Sequence, residues 1–118
     1  VHMDDVLTSA GDTRGFQVVL TATVHRGSPA HWLVLTRPNG TAPRLTTRIL
    51  LPGVVGTPEE ELRKVVAQLG DTLRGEDTRS ATYTAARRQH RRLMEVMGPD
   101  RYASLPGAYV VKLHPPGA

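Results

Sequence analysis

The sequence contains no cysteine, and this absence excludes several kinds of site. Disulfides, thiolate nucleophiles, iron–sulfur clusters and cysteine-based zinc sites all require that residue. The sequence also has no apolar run near the roughly 18 residues that a membrane-spanning helix needs. It does not begin with the basic and apolar segments of a secretory signal. Together these absences predict a cytoplasmic protein without a membrane partner.

Lysine is also scarce. Lys64 and Lys112 are the only lysines among fifteen basic residues, so arginine supplies nearly all of the positive charge. That bias is typical of a GC-rich genome and indicates a bacterial source. It raises the sequence pI to about 10.1, whereas the formal net charge is only +4. The high pI is therefore weak evidence for a nucleic-acid partner when taken alone.

The length of 118 residues fits one domain with a single modest core. Residues 1–14 are polar and lack periodicity, so we interpret them as an extended N-terminal arm that begins with a cloning remnant, residues 1–3. Residues 15–114 form the predicted α+β domain, and residues 115–118 form a Pro/Gly tail.

Alternation of residue types predicts three strands in the first half of the chain. The strands cover residues 16–24, 31–36 and 44–51, and they are rich in β-branched residues. A short loop separates the first two, and Asn39-Gly40, a strong hairpin signal, separates the second and third. Successive strands with such short connections predict an antiparallel meander.

Capping residues and an apolar stripe predict two helices in the second half. Thr57, Pro58 and Glu60 form a well-defined start for the first helix, and Gly75 is its expected end. The second helix is predicted from Asp77 or Thr78 up to the Gly98-Pro99 stop. The stripe of the first helix consists of Leu62, Val66, Leu69 and Leu73.

Residues 109–113 have the pattern of a final strand. The predicted fold is therefore α+β, a two-layer domain in which a three-stranded antiparallel meander is followed by two helices and a closing C-terminal strand. Short sheets in small domains leave unpaired strand edges, which makes a homodimer or other homo-oligomer the expected assembly.

Four arginines share one side of the second predicted helix. At 100° per residue they fall within roughly 140° of one another, opposite an apolar face. The four are Arg87, Arg88, Arg91 and Arg92. Guanidinium groups in this arrangement can contact the phosphates of DNA or RNA, and a helix fits the DNA major groove. The alternative is a solvated face, paired with the acids of the first helix.

A second basic patch is predicted on the sheet. Residues 13–58 contain no Asp or Glu but five arginines. We expect Arg44, Arg48 and Arg37 to form a basic sheet surface of the kind used by β-ribbon readers and single-strand binders. Aromatic residues are few, and we assign Phe16 and Trp32 to the core, which argues against base stacking.

Other motifs give no catalytic, cofactor or metal site. The glycine-containing loop 53–57 resembles a phosphate-binding loop, but the acids at 59–61 would repel a phosphate there. His25 and His31 remain open as an approaching pair, and His90 is expected at the edge of the core. No nucleophile–base arrangement or paired carboxylates appear, so a non-enzymatic protein is favoured.

The favoured hypothesis is a small cytoplasmic nucleic-acid-binding protein, with a regulatory role left open, that contacts phosphates through the arginine-rich helix. The first alternative is a protein-interaction or oligomeric regulatory module, in which a basic face meets an acidic partner or the acidic 59–77 segment of another subunit. The second alternative is a small-ligand or enzyme domain with a pocket between sheet and helices, near Trp32, His31 and Tyr109.

Overall fold

The computed structural model describes residues 15–37 and 45–111. The predicted arm at 1–14, the Asn39-Gly40 turn, Arg44 and the tail at 115–118 lie outside the described residues. Within them, the elements in chain order are β1 (Gln17–His25), β2 (Ser28–Arg37), β3 (Leu45–Leu51), α1 (Pro58–Gly75), α2 (Ala81–Met97) and α3 (Pro99–Ala103).

The three strands form one antiparallel sheet in the order β1-β2-β3. On the central strand, Leu33 lies opposite Leu20 of β1 and Ile49 of β3. The β1–β2 connection is a two-residue turn of Arg26 and Gly27, whose φ angles are 53° and 79°. Positive φ at both positions is the type I′ geometry, which matches the twist of the paired strands. The predicted meander is confirmed.

The two faces of the sheet have different surroundings. The inner face packs against helices and buries Val18, Leu33 and Leu35. Alternate residues of the same strands point to the outer face, where Leu50 is 47% exposed. The tip of the β1–β2 hairpin is exposed on both faces. Val24 belongs to the same alternating set as the buried Val18, yet it is 76% exposed. The helices therefore cover only part of the inner face.

α1 begins and ends where its capping residues predict. Thr57 Oγ1 accepts from the Glu60 N–H at 3.2 Å, and Glu60 Oε1 accepts from the Thr57 N–H at 2.8 Å. This reciprocal pair is a capping box, which satisfies two donors at the helix start. The helix ends at Gly75. Three residues of its predicted stripe are buried: Leu62, Val66 and Leu73.

α2 begins a few residues later than predicted. Ser80 is its N-cap, and the Ser80 Oγ accepts from the Tyr83 N–H at 3.0 Å. The preceding residues form a turn instead, in which the Ser80 N–H donates to the Asp77 carbonyl oxygen at 2.9 Å. The stop at Gly98 is confirmed, but Pro99 also starts the short helix α3. Proline suits a first helical position as well as a stop, so its presence alone does not distinguish them.

Residues 104–111 run across the two long helices. Gly107 packs so closely on α1 that a Cβ at Gly70 would overlap the Gly107 carbonyl oxygen. Further along, the Val111 N–H donates to His90 Nε2 of α2 at 3.3 Å. Residues 109–111 have no strand structure, and residues 112 and 113 lie outside the described part. The predicted closing C-terminal strand is therefore not confirmed.

The core lies between the inner face of the sheet and the helices. α1 packs on β1 and β2, and α2 packs on β2 and β3. Burial of each large apolar side chain contributes about 1.5–3 kcal/mol relative to leaving it exposed. The largest fully buried side chains come from both layers: Tyr102, Phe16, Leu33, Leu35, Leu62 and Leu93. The mixed α+β fold of an antiparallel sheet plus helices is as predicted.

Candidate nucleic-acid interface

The arginine face of α2 points away from the core. Ala86, His90 and Leu93 of the same helix are buried against the sheet and α3. Arg88 and Arg91 are exposed, and neither has a hydrogen-bond or ion-pair partner among the residues that the structure describes. The helix thus presents these two guanidinium groups to solvent.

The other two arginines of the face are held by the protein. Arg87 donates through Nη1 to the Tyr83 hydroxyl at 3.2 Å, and its guanidinium lies 5.8 Å from the centroid of the Tyr83 ring. Arg92 donates through Nη2 to the Thr46 carbonyl oxygen at 3.1 Å and through Nη1 to Glu95 at 3.5 Å. These contacts restrain both side chains at the two borders of the exposed face.

The predicted basic sheet surface is not brought together. Arg37 lies opposite Leu45, on the side of the sheet that faces the helices, whereas Arg48 lies opposite Val34 and is exposed on the outer face. The Nε of Arg37 is buried and has no hydrogen-bond partner among the described residues. Leu45, the partner of Arg37, precedes Arg48 by three residues on β3. Because side chains alternate along a strand, Arg37 and Arg48 therefore point to opposite faces. Arg44 lies outside the described residues.

Trp32 lies on the outer face of the sheet, and its assignment to the core is wrong. Its Nε1–H donates to Thr23 Oγ1 at 2.9 Å, and its ring meets His25 edge to face at 6.0 Å between centroids. Phe16, by contrast, is in the core as predicted. In the segment 31–36 both alternating sets contain large apolar residues, so the sequence does not identify the inner set. The strand register resolves this ambiguity.

Glu61 occupies the anion-binding position of the loop 53–57. Its Oε2 accepts from the N–H groups of Val55 at 3.1 Å and Gly56 at 3.0 Å, and Lys64 Nζ lies 2.9 Å from the same oxygen. Burial raises the pKa of this carboxyl, but the hydrogen bonds from Lys64 and the two backbone groups outweigh it, so the pKa is lowered overall. The chain's own carboxylate therefore satisfies the donors that a phosphate would need.

His90 lies beneath the arginine face and is 3% exposed. Its Nε2 accepts from the Val111 N–H, so the neutral ring carries its proton on Nδ1. That Nδ1 is buried and has no partner among the described residues, and the ring meets Tyr102 at 5.0 Å. Burial lowers the pKa of His90, and the charge of Arg87 lowers it further. His90 is buried at the edge of the core, as predicted.

Among the described residues, the structure does not bring together His25 and His31, nor Trp32, His31 and Tyr109. His31 lies opposite Ala22, at a position whose side chain points to the inner face of the sheet. His25 is at an outer-face position, next to Trp32. Tyr109 lies elsewhere, with the Arg74 guanidinium over its ring at 5.6 Å. Within the described part of the chain, no group of three or more His, Asp or Glu residues is placed to hold a metal ion.

Comparisons with known proteins give no relative for this chain. Within residues 15–37 and 45–111, no helix combines the length and apolar character that crossing a membrane requires. No family model matches the chain, and neither a curated protein nor a solved structure matches it. Function is therefore inferred from the site itself.

Proposed function

We propose that the protein binds the phosphate backbone of nucleic acid through the arginine face of α2, defined as Arg87, Arg88, Arg91 and Arg92. The observation that carries this proposal is the exposure of Arg88 and Arg91, side by side and without a partner among the described residues. Each unpaired guanidinium offers five N–H donors, and its charge-assisted hydrogen bonds to phosphate oxygens are short and strong.

The spacing of the four residues supports an anionic partner. Arg87 and Arg91 are four residues apart, as are Arg88 and Arg92, and residues so spaced on a helix have Cβ atoms about 5–6 Å apart. Like charges at that spacing repel each other, so the free helix is slightly destabilised by them. A bound phosphate would remove this repulsion. Glu95, which contacts Arg92 at 3.5 Å, offsets only part of the charge.

The sheet arginines belong to the proposal as separate contacts. Arg48 is exposed on the outer face, on the far side of the sheet from α2. A nucleic acid on α2 would reach it only by passing around an edge of the domain. Arg37 and Arg44 stay predictions from the sequence, and no structural contact supports them.

Fluorescence anisotropy with labelled duplex DNA, single-stranded DNA and RNA tests the proposal. Replacing all four arginines of the α2 face by glutamine should weaken binding to every polyphosphate. A control replaces Arg63 and Arg79, surface residues away from the face that pair with Glu59 and Asp77; it removes two charges and is matched in charge to the double variant Arg88→Gln with Arg91→Gln. The control should lose little affinity, because its residues are already neutralised. No binding by the wild-type protein at low salt would refute the proposal.

The outer face of the sheet, which no described helix covers, favours a second candidate function, an interaction module that packs on a second copy of the chain. Trp32 and Val34 are only half-buried there, and Leu50 is exposed. Apolar side chains on an open sheet face gain free energy when a partner covers them. The face carries one described charge, Arg48, and no carboxylate.

A further inference from the structure

A small cleft lies beside α2, between the helix and the segment that follows α3. Its volume is about 210 Å³, and it is lined by Arg87, His90, Arg91, Met94, Glu95, Pro99 and Val111. The cleft shares Arg87 and Arg91 with the arginine face, whereas neither Arg88 nor Arg92 borders it. Two arginines and several apolar residues therefore line the same concave place.

We propose that this cleft binds a small amphipathic carboxylate, such as a medium-chain fatty acid. Met94, Pro99 and Val111 supply apolar walls for the hydrocarbon part of the ligand. Arg87 and Arg91 would bind its carboxylate, because charge-assisted hydrogen bonds to a guanidinium are short, strong and often bidentate. The volume is below the range of about 300–1,000 Å³ that is common for drug-sized ligands, so a short chain fits better than a long one.

Arg87 and Arg91 lie one helical turn apart and both border the cleft. Arg87 is restrained by its hydrogen bond of 3.2 Å to the Tyr83 hydroxyl. Arg91 follows one helical turn later and has no partner among the described residues. A group bound between them can accept from both, because side chains four residues apart on a helix are neighbours. Their mutual repulsion without a ligand favours an anion over a neutral molecule.

The remaining lining residues determine the net charge of the cleft and its shape. Glu95 also borders the cleft, but it is one carboxylate against two arginines, and Arg92 Nη1 lies 3.5 Å from its Oε1. The lining therefore keeps a net positive charge. His90 forms the inner wall and holds the Val111 backbone in place through the bond of 3.3 Å to Nε2. That wall exists only while the ring is neutral, since a protonated Nε2 cannot accept.

Binding of a carboxylate does not depend on the proposed nucleic-acid function. Arg87 and Arg91 belong to both sites, so a bound carboxylate would remove two of the four phosphate contacts. Competition between octanoate and nucleic acid would follow if both proposals hold. Octanoate binding without nucleic-acid binding would support the cleft proposal and refute the proposed function. Nucleic-acid binding without octanoate binding would refute the cleft proposal and support the proposed function.

Titration of the isotope-labelled full chain with sodium octanoate, followed by amide NMR, tests the inference. Octanoate should bind saturably and shift the amides of Arg91, Met94 and Val111 together. Sodium acetate should not, because it lacks the apolar part. Octylammonium chloride should not either, because it has the opposite charge. A lack of saturable octanoate binding up to about 1 mM, the boundary of weak affinity, would overturn the proposal.

Charge-matched variants separate the cleft from the rest of the arginine face. The double variant Arg87→Gln with Arg91→Gln should bind octanoate at least about tenfold more weakly, as expected for loss of charge-assisted hydrogen bonds. The control Arg79→Gln with Arg88→Gln loses the same charge but no lining residue and keeps the Arg92–Glu95 pair, so it should bind within about twofold of wild type. Equal loss in the two variants would contradict the cleft. Circular dichroism melting confirms that both variants fold.

Discussion

Glu61 is a buried charged residue whose carboxylate is satisfied by its own chain. It is 3% exposed and accepts hydrogen bonds from Val55, Gly56 and Lys64. The local spacing explains why the sequence did not reveal this role. Glu59, Glu60 and Glu61 all fit the first turn of a helix, and only the folded loop distinguishes the residue that turns inward.

The variant Glu61→Gln should destabilise the protein by about 1–3 kcal/mol, because two backbone N–H groups and Lys64 lose a charged acceptor. The matched control Glu59→Gln removes only a surface ion pair with Arg63 at 2.9 Å and should cost less than about 1 kcal/mol. Urea unfolding at neutral pH measures both. A control that is as damaging as the test variant would show that the loop contacts are unimportant.

His90 predicts a pH dependence of stability. Burial and Arg87 lower its folded pKa below the ordinary value of 6.5, so the unfolded chain binds a proton more readily than the folded chain. The contribution of His90 to the free energy of unfolding should therefore be fully present above pH 6.5 and should be lost as the pH falls from there through the folded pKa. The lowered pKa of Glu61 acts separately, below its ordinary value of 4.5.

The variant His90→Gln tests this dependence, because glutamine can still accept from the Val111 N–H but does not titrate. Urea midpoints measured from about pH 7.5 down to pH 5.5 should fall in the wild type and change much less in the variant. His25→Gln is the control, since His25 lies on the exposed hairpin tip. Parallel curves for wild type and His90→Gln would contradict the assignment.

At the scale of elements, α1 depends on one close backbone approach. The variant Gly70→Ala should destabilise the protein by about 1–3 kcal/mol, because its Cβ would overlap the Gly107 carbonyl oxygen and displace the C-terminal segment. Gly75→Ala in the same helix meets nothing within 4 Å and should be neutral or stabilise by up to about 1 kcal/mol. Thermal melting compares the two. Equal effects would show that the segment packs loosely.

Elements with strong local signals were predictable from the sequence. The capping box of Thr57 and Glu60 fixes the start of α1 by spacing alone. α3 was not predictable, since five residues carry no periodicity and Pro99 also reads as a stop. The path of residues 104–111 was missed for another reason. A short apolar run favours a strand, but here contacts with Gly70 and His90 hold the chain across the helices.

At the scale of the whole molecule, the open sheet face predicts self-association. Sedimentation velocity should show a dimer whose fraction grows with protein concentration. Val34→Arg should abolish it, because the new charge would lie directly opposite Arg48, and the interface would have to bury two neighbouring like charges. The control Val55→Arg places the same charge on a loop residue that is 89% exposed and should leave the dimer intact. A wild-type monomer at all concentrations would remove the second candidate function.

The candidate site was only partly predictable because it depends on tertiary geometry. Helical periodicity was enough to place Arg88 and Arg91 on the solvent side of α2. It could not show that Arg92 is bound to the Thr46 carbonyl oxygen of β3. Likewise, the acid-free composition of the sheet did not reveal that Arg37 and Arg48 point to opposite faces.

The salt dependence of binding tests the central claim most directly. For duplex DNA, each neutralised phosphate contributes about 0.9 to the slope of log affinity against log salt. Replacing Arg88 and Arg91 by glutamine should therefore reduce the magnitude of the slope by about 2. The charge-matched control, Arg63→Gln with Arg79→Gln, should keep the wild-type slope. An unchanged slope in the Arg88 and Arg91 variant would contradict phosphate binding by α2.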